Sequence, residues 1–234
     1  MIRHRPSAER GYADHGWLQS RHSFSFAGYY DPRHMGFSDL RVINEDLIAG
    51  GGGFPSHPHQ DMEILTFVMS GALRHEDSMG HGSVIGPGEV QRMSAGRGVV
   101  HSEFNDSHDT PVHLLQIWVL PDRRGYPPAY EQRQAPIPGR LRRWQMLASG
   151  DTRDDSLHWH QDAKLLVTDL AAGDRQSYTF SGRRAGYLQV ARGSLRINGV
   201  EFSAGDACLA EDETVLQLEA TEDCETLLFD LRPA

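Results

Sequence analysis

The chain has 234 residues, room for one large domain or two of about 115 residues each. Its 38% hydrophobic and 24% charged residues are those of an ordinary globular protein, which sets aside disordered and fibrous classes. With 23 basic against 32 acidic residues the formal charge is −9; such a surface repels phosphate backbones and anionic lipid, so no direct nucleic-acid or membrane binding is expected.

Along the chain, the first thirty residues contain no apolar core of a secretory signal. The expected elements are short strands rich in Val, Leu, Ile, Phe and Tyr. They fall at residues 63–70 (EILTFVMS), 113–120 (HLLQIWVL), 164–170 (KLLVTDL), 185–191 (AGYLQVA), 215–219 (VLQLE) and 225–231 (ETLLFDL). No segment carries a long helical period bounded by caps. The most apolar stretch, residues 114–120, contains Gln116 and is far too short to cross a bilayer. Five of the twelve prolines lie between positions 121 and 138. Proline fixes φ and removes a donor, so this stretch reads as a linker (122–138) between domains at 1–121 and 139–234. The halves echo one another: Gly71-Ala72-Leu73-Arg74 precedes a turn at Gly88-Glu89, and Gly193-Ser194-Leu195-Arg196 precedes one at Gly205-Asp206. The expected fold is all-β, two barrels in tandem. The two cysteines, Cys208 and Cys224, lack the spacing of a thiolate metal site and read as small buried residues of a reducing, cytoplasmic compartment.

The chemistry concentrates in the first half. Gly51-x5-His57-Pro58-His59-x3-Glu63 is followed by Gly88-x5-Ser94-x-Gly96-x4-His101-Ser102-Glu103-x-Asn105. Alternate residues of a strand point to one face, so His57 and His59 share a face, as do His101 and Glu103. Two such strands can converge four ligands on one point. Three imidazoles and a carboxylate suit a divalent transition metal rather than Mg²⁺ or Ca²⁺. With 13 histidines in the chain a chance H-x-H is expected, and His158-Trp159-His160, which no second pair follows, reads as structural or surface. The glycines at 50–53 read as a turn, since no Lys-Ser/Thr follows them. The basic run at 140–144 reads as a solvated edge. Gln116, inside an apolar strand, fits a core amide or a pocket group equally. Phe24, Phe26, Met35 and Phe37 suit core packing or a pocket mouth.

The spacing resembles the two cupin motifs, with departures. Seven residues rather than six separate Glu63 from Gly71, Ser94 replaces a proline, and four residues rather than two separate Gly96 from His101. The segments HSFSFAGYYDPRHMGFSDLRVINEDLI, GGGFPSHPHQDMEILTFVMSGALRHEDSMG and PGEVQRMSAGRGVVHSEFN closely resemble the signature segments of the pirin family. The likeness runs from about Arg21 to Leu120 and thins beyond. It implies tandem cupin barrels, a bicupin. It also settles the place of Glu63, the metal ligand of most cupins: pirin-like proteins use H-P-H and H-S-E, here His57, His59, His101 and Glu103, leaving Glu63 a supporting or structural role. In the second half Tyr178-Thr179-Phe180 stands in place of H-x-H, so that domain is expected to be metal-free.

The resemblance further implies a dioxygenase similar to quercetin 2,3-dioxygenases. The metal would be one divalent transition ion, Fe(II) by preference for redox chemistry. The substrates would be a flavonol and O₂, with ring opening, release of CO and Glu103 as the base. Pirin-like proteins are also similar to iron-dependent, redox-sensing regulators that bind a protein partner such as a transcription factor, which is the alternative expectation. Pocket access to the metal discriminates the two. Monomer is the default state.

Overall fold

Glycines in the left-handed region turn the chain between its short strands. Gly71 (φ 78°) and Gly193 (φ 68°) occupy equivalent hairpins in the two halves. A Cβ there would lie 2.8 Å from the Pro111 carbonyl oxygen and 2.0 Å from that of Asp223, so the repeated glycine serves both backbone angle and close approach. The computed structural model of the chain describes residues 1–134 and 142–233. The expected strands appear as Glu63–Ser70, Val112–Val119, Lys164–Leu170, Ala185–Arg192, Val215–Ala220 and Cys224–Leu231.

The strands form two all-β domains, each an open sandwich of a seven-stranded and a four-stranded sheet rather than a closed barrel. In the first, the large sheet carries Glu63–Ser70, Val112–Val119 and Leu40–Ile48 side by side, and the small sheet carries Gly53–His59 at its edge beside Val99–Asn105. Glu63–Ser70 is buried along all but its last residue, and its alternation explains why the sequence there is almost unbroken in hydrophobicity. Leu65 and Phe67, with Leu115 and Ile117, join one core with Leu165, Val167, Tyr187 and Phe229 of the second domain. The opposite face points into the first sandwich, where Thr66 and Gln116 sit. A strand covered on both faces reads as a continuous apolar run. Each such Leu or Phe contributes roughly 1.5–3 kcal/mol on burial, so the interface between domains is itself core.

Two elements depart from the expected boundaries. Ala129–Gln134, inside the stretch read as a linker, is an edge strand paired with Glu89–Ser94 of the first domain. Pro127 and Pro128 precede it and its own six residues contain no proline, so an edge position tolerates it. The rest of that stretch, from residue 135, lies outside the described residues, as do residues 140 and 141 of the basic run. The strand Ile2–Arg5 pairs with Ala207–Glu211, placing the beginning of the chain on the second domain's sheet. The interior of that second sandwich is filled by Leu188, Val190, Leu195, Ile197, Leu218 and Leu228, with Phe180 among them.

Candidate metal centre

Gly53–His59 is the edge of its sheet, which is why Pro55 and Pro58 fit there. His101 pairs with His57 and Val99 with His59. A register shift follows, so that Glu103 faces Phe54: three steps on one strand match two on the other. Such a bulge re-aims side chains near functional sites. Ligating atoms of His57, His59 and His101 all lie within 4.8 Å of one another. Glu103 is not in that group. It falls in a second one with His101 and His75, on the same distance limit and wholly buried. His101 joins the two.

His75 had no role in the sequence reading. Its strand, Leu73–Asp77, lies beside Val99–Asn105 with His75 opposite Glu103 and Asp77 opposite His101. In LRHED a single histidine among charges looks solvent-facing; the signal was its two-residue phase with Leu73 and Asp77, and the side chain is fully buried.

Hydrogen bonds determine which nitrogens are bare. His57 Nδ1 lies 2.8 Å from the Pro55 carbonyl oxygen and donates to it, leaving Nε2 as a lone pair. His75 Nε2 donates to Asp77 Oδ2 at 3.3 Å, so His75 Nδ1 is an acceptor for His101 Nδ1–H at 3.4 Å. His101 Nε2 is then bare too, and it lies 3.0 Å from His57 Nε2. Two lone pairs that close repel unless a cation sits between them. Burial, then neighbouring His57, lowers His59 to about 4; burial, then His59 and His57, lowers His101 to about 2. Neutral imidazoles are the form a metal takes. This donor set therefore fits one divalent transition metal ion.

Glu103 is 2% exposed. Its Oε2 accepts from Gln116 Nε2 at 2.8 Å, and Gln116 Oε1 accepts from the Thr66 hydroxyl at 3.0 Å. Burial pushes the Glu103 carboxyl up to about 7, although hydrogen bonds from Thr66 and Gln116 oppose the rise. Gln116 belongs to a polar row on the sandwich's inner face: His22, Asn44, Gln116, Thr66 and Gln91 are paired in register across five neighbouring strands.

A cavity of about 680 Å³ opens onto His57, His59, Glu103 and Gln116, walled by Phe26, Phe54 and Trp118. Phe26 is thus a pocket residue, whereas Phe24 and Phe37 pack on Tyr187 in the core and Met35 is exposed. Glu63 lies elsewhere. It accepts from Ser94 Oγ at 2.6 Å and lies 2.9 Å from His160 Nδ1, tying the first domain to the second. The H-x-H at 158–160 thereby supplies a contact between domains.

The family description Pirin matches residues 3–119, and the quercetinase C-terminal cupin domain matches residues 146–231. The chain belongs to the pirin family. A quercetin 2,3-dioxygenase of Escherichia coli K12 is 47% identical to this pirin over 234 residues, covering all of both chains. A putative quercetin 2,3-dioxygenase of Pseudomonas aeruginosa is 46% identical, covering 99% of this chain and 100% of its own. The solved bacterial pirin YhhW of Escherichia coli in complex with nickel(II) superposes with a TM-score of 0.95 at 46% identity, covering 100% of each chain. Among the described residues of this pirin no helix is long and apolar enough to cross a membrane.

Proposed function

We propose that this pirin is a metal-dependent dioxygenase acting on a flavonol such as quercetin, with His57, His59, His101 and Glu103 as the ligands of one divalent metal ion. The observation that carries the reading is the aromatic-walled cavity reaching the histidine cluster and Glu103. A catalyst requires such access; a regulatory metal covered by protein does not. The names of the relatives support the same reaction class.

When bound, the metal would supply Lewis-acid and redox chemistry, Fe(II) and Ni(II) both suiting these donors. The chain's own groups do the rest. Phe26, Phe54 and Trp118 hold a flat ring system and keep water away. Gln116 fixes Glu103 through Oε2, and Oε1, 3.4 Å from the Thr66 hydroxyl, would take the flavonol's hydroxyl proton. A carboxylate beside the substrate's hydroxyl can accept that proton and later return it. Opening of the central ring by O₂ would release CO.

The test is oxygen uptake with loss of flavonol absorbance and CO release. The protein is loaded anaerobically with Fe(II) or, in parallel, Ni(II), then given quercetin and O₂. Glu103→Gln at equal metal content should lose a factor of about 10²–10⁴ in rate. No uptake by either metal-loaded form would shift the reading to a redox-sensing regulator that binds a protein partner.

A further inference from the structure

Beyond Glu103, the cavity wall holds polar side chains for which the reaction has no use. Ser20, His22, Asn44 and Asp46 all line it and are each 5% exposed or less. They come from two adjacent strands, Leu18–His22 and Leu40–Ile48, where Ser20 pairs with Asp46 and His22 with Asn44. The Ser20 hydroxyl donates to Asp46 Oδ1. His22 Nδ1 donates to Asn44 Oδ1 at 2.8 Å, so His22 Nε2 is a lone pair. Asp46 Oδ2, His22 Nε2 and Asn44 Nδ2 have no hydrogen-bond partner among the described protein residues. None of the three is fully enclosed, so each opens onto the cavity, where a ligand or solvent can meet it.

Their chemistry defines what fits. Two acceptors, one a carboxylate, demand hydroxyl donors and reject carboxylates or phosphates. One amide donor completes the match to a hydroxyl oxygen. The adjoining walls, Leu18, Phe26 and Trp118, are apolar and favour a flat ring over a sugar. Asp46 lies one strand across and two residues along from Gln116, a diagonal of about 7–8 Å in a sheet. That span separates two ends of one ligand.

We propose that Asp46, His22 and Asn44 form a second anchor, a subsite that grips adjacent hydroxyls on an aromatic ring remote from the group held at Glu103. The subsite rests on the flavonol reading and narrows it: ligands with a dihydroxylated pendant ring are selected over those whose pendant ring is bare.

Calorimetric titration of the metal-loaded protein with quercetin, and with a flavonol lacking pendant-ring hydroxyls, tests this. Wild type should bind quercetin about 10- to 100-fold more tightly, the worth of a hydrogen bond to a charged group. Asp46→Ala should erase most of that preference while changing affinity for the bare-ring flavonol less than about threefold. Asp46→Asn, which keeps the shape and an acceptor, should fall between them and guards against a folding defect in the alanine variant. Equal binding of both flavonols by wild type, or equal loss of both in the variants, overturns the subsite and leaves the flavonol reading standing. Binding of neither flavonol overturns both.

Discussion

Burial pushes the carboxyl of Asp46 from 3.8 up to about 6, against the lowering effect of the Ser20 hydroxyl. Between those values the folded chain keeps a proton that the unfolded chain has lost. Stability from this group is therefore full below about pH 4 and declines as pH rises through 6, a loss of up to roughly 3 kcal/mol. Retaining an ionised group at that cost accords with a functional use. Asp46→Asn should raise the melting temperature at pH 8, confer about half that gain at pH 5 and almost none below pH 4. An equal gain at all three would show that burial of the charge is not what the wild type tolerates.

At the scale of the strand, phase and register decide what a histidine does. The gathering of His57, His59 and His101 was legible because H-x-H places a pair on one face, while H-x-E placed Glu103 on the face of His101 alone, and it groups with His101 and His75. The division of those residues into two overlapping groups was not legible, because it depends on the bulge opposite Glu103. Nor was His75, since only the pairing of its strand reveals that it backs onto His101. The strand Ala129–Gln134 was hidden by its flanking prolines, and Ile2–Arg5 by its brevity and basic character. Because His75 and Asp77 set the bare nitrogen of His101, His75→Gln should weaken Ni(II) binding about 10- to 100-fold, the usual effect of removing a ligand's orienting partner. Competition with a chromogenic chelator measures it; an unchanged affinity would mean that His101 keeps its tautomer without His75.

Across the whole molecule the two domains are bound by a shared apolar core, by the Glu63–His160 contact and by the strand Ile2–Arg5. That strand pairs beside Ala207–Glu211, whose Cys208 lies in register with His4 and is buried in the second sandwich's core; burial pushes its thiol up to about 12. Removing residues 1–6 should uncover a sheet edge and speed the reaction of Cys208 with a thiol reagent at least about tenfold, while Ni(II) affinity changes little. Slow labelling that matches the full chain would show that the edge closes without this strand. The same pairing constrains biosynthesis. Ile2 leaves the ribosome about two hundred residues ahead of its partner Ala210, which at 5–20 residues per second is a wait of about 10–40 s. During that time the metal-binding half can be complete and the strand beside it still unclaimed, so a nascent chain stalled before residue 207 would present a free β-edge to chaperones or to its neighbours on the polysome.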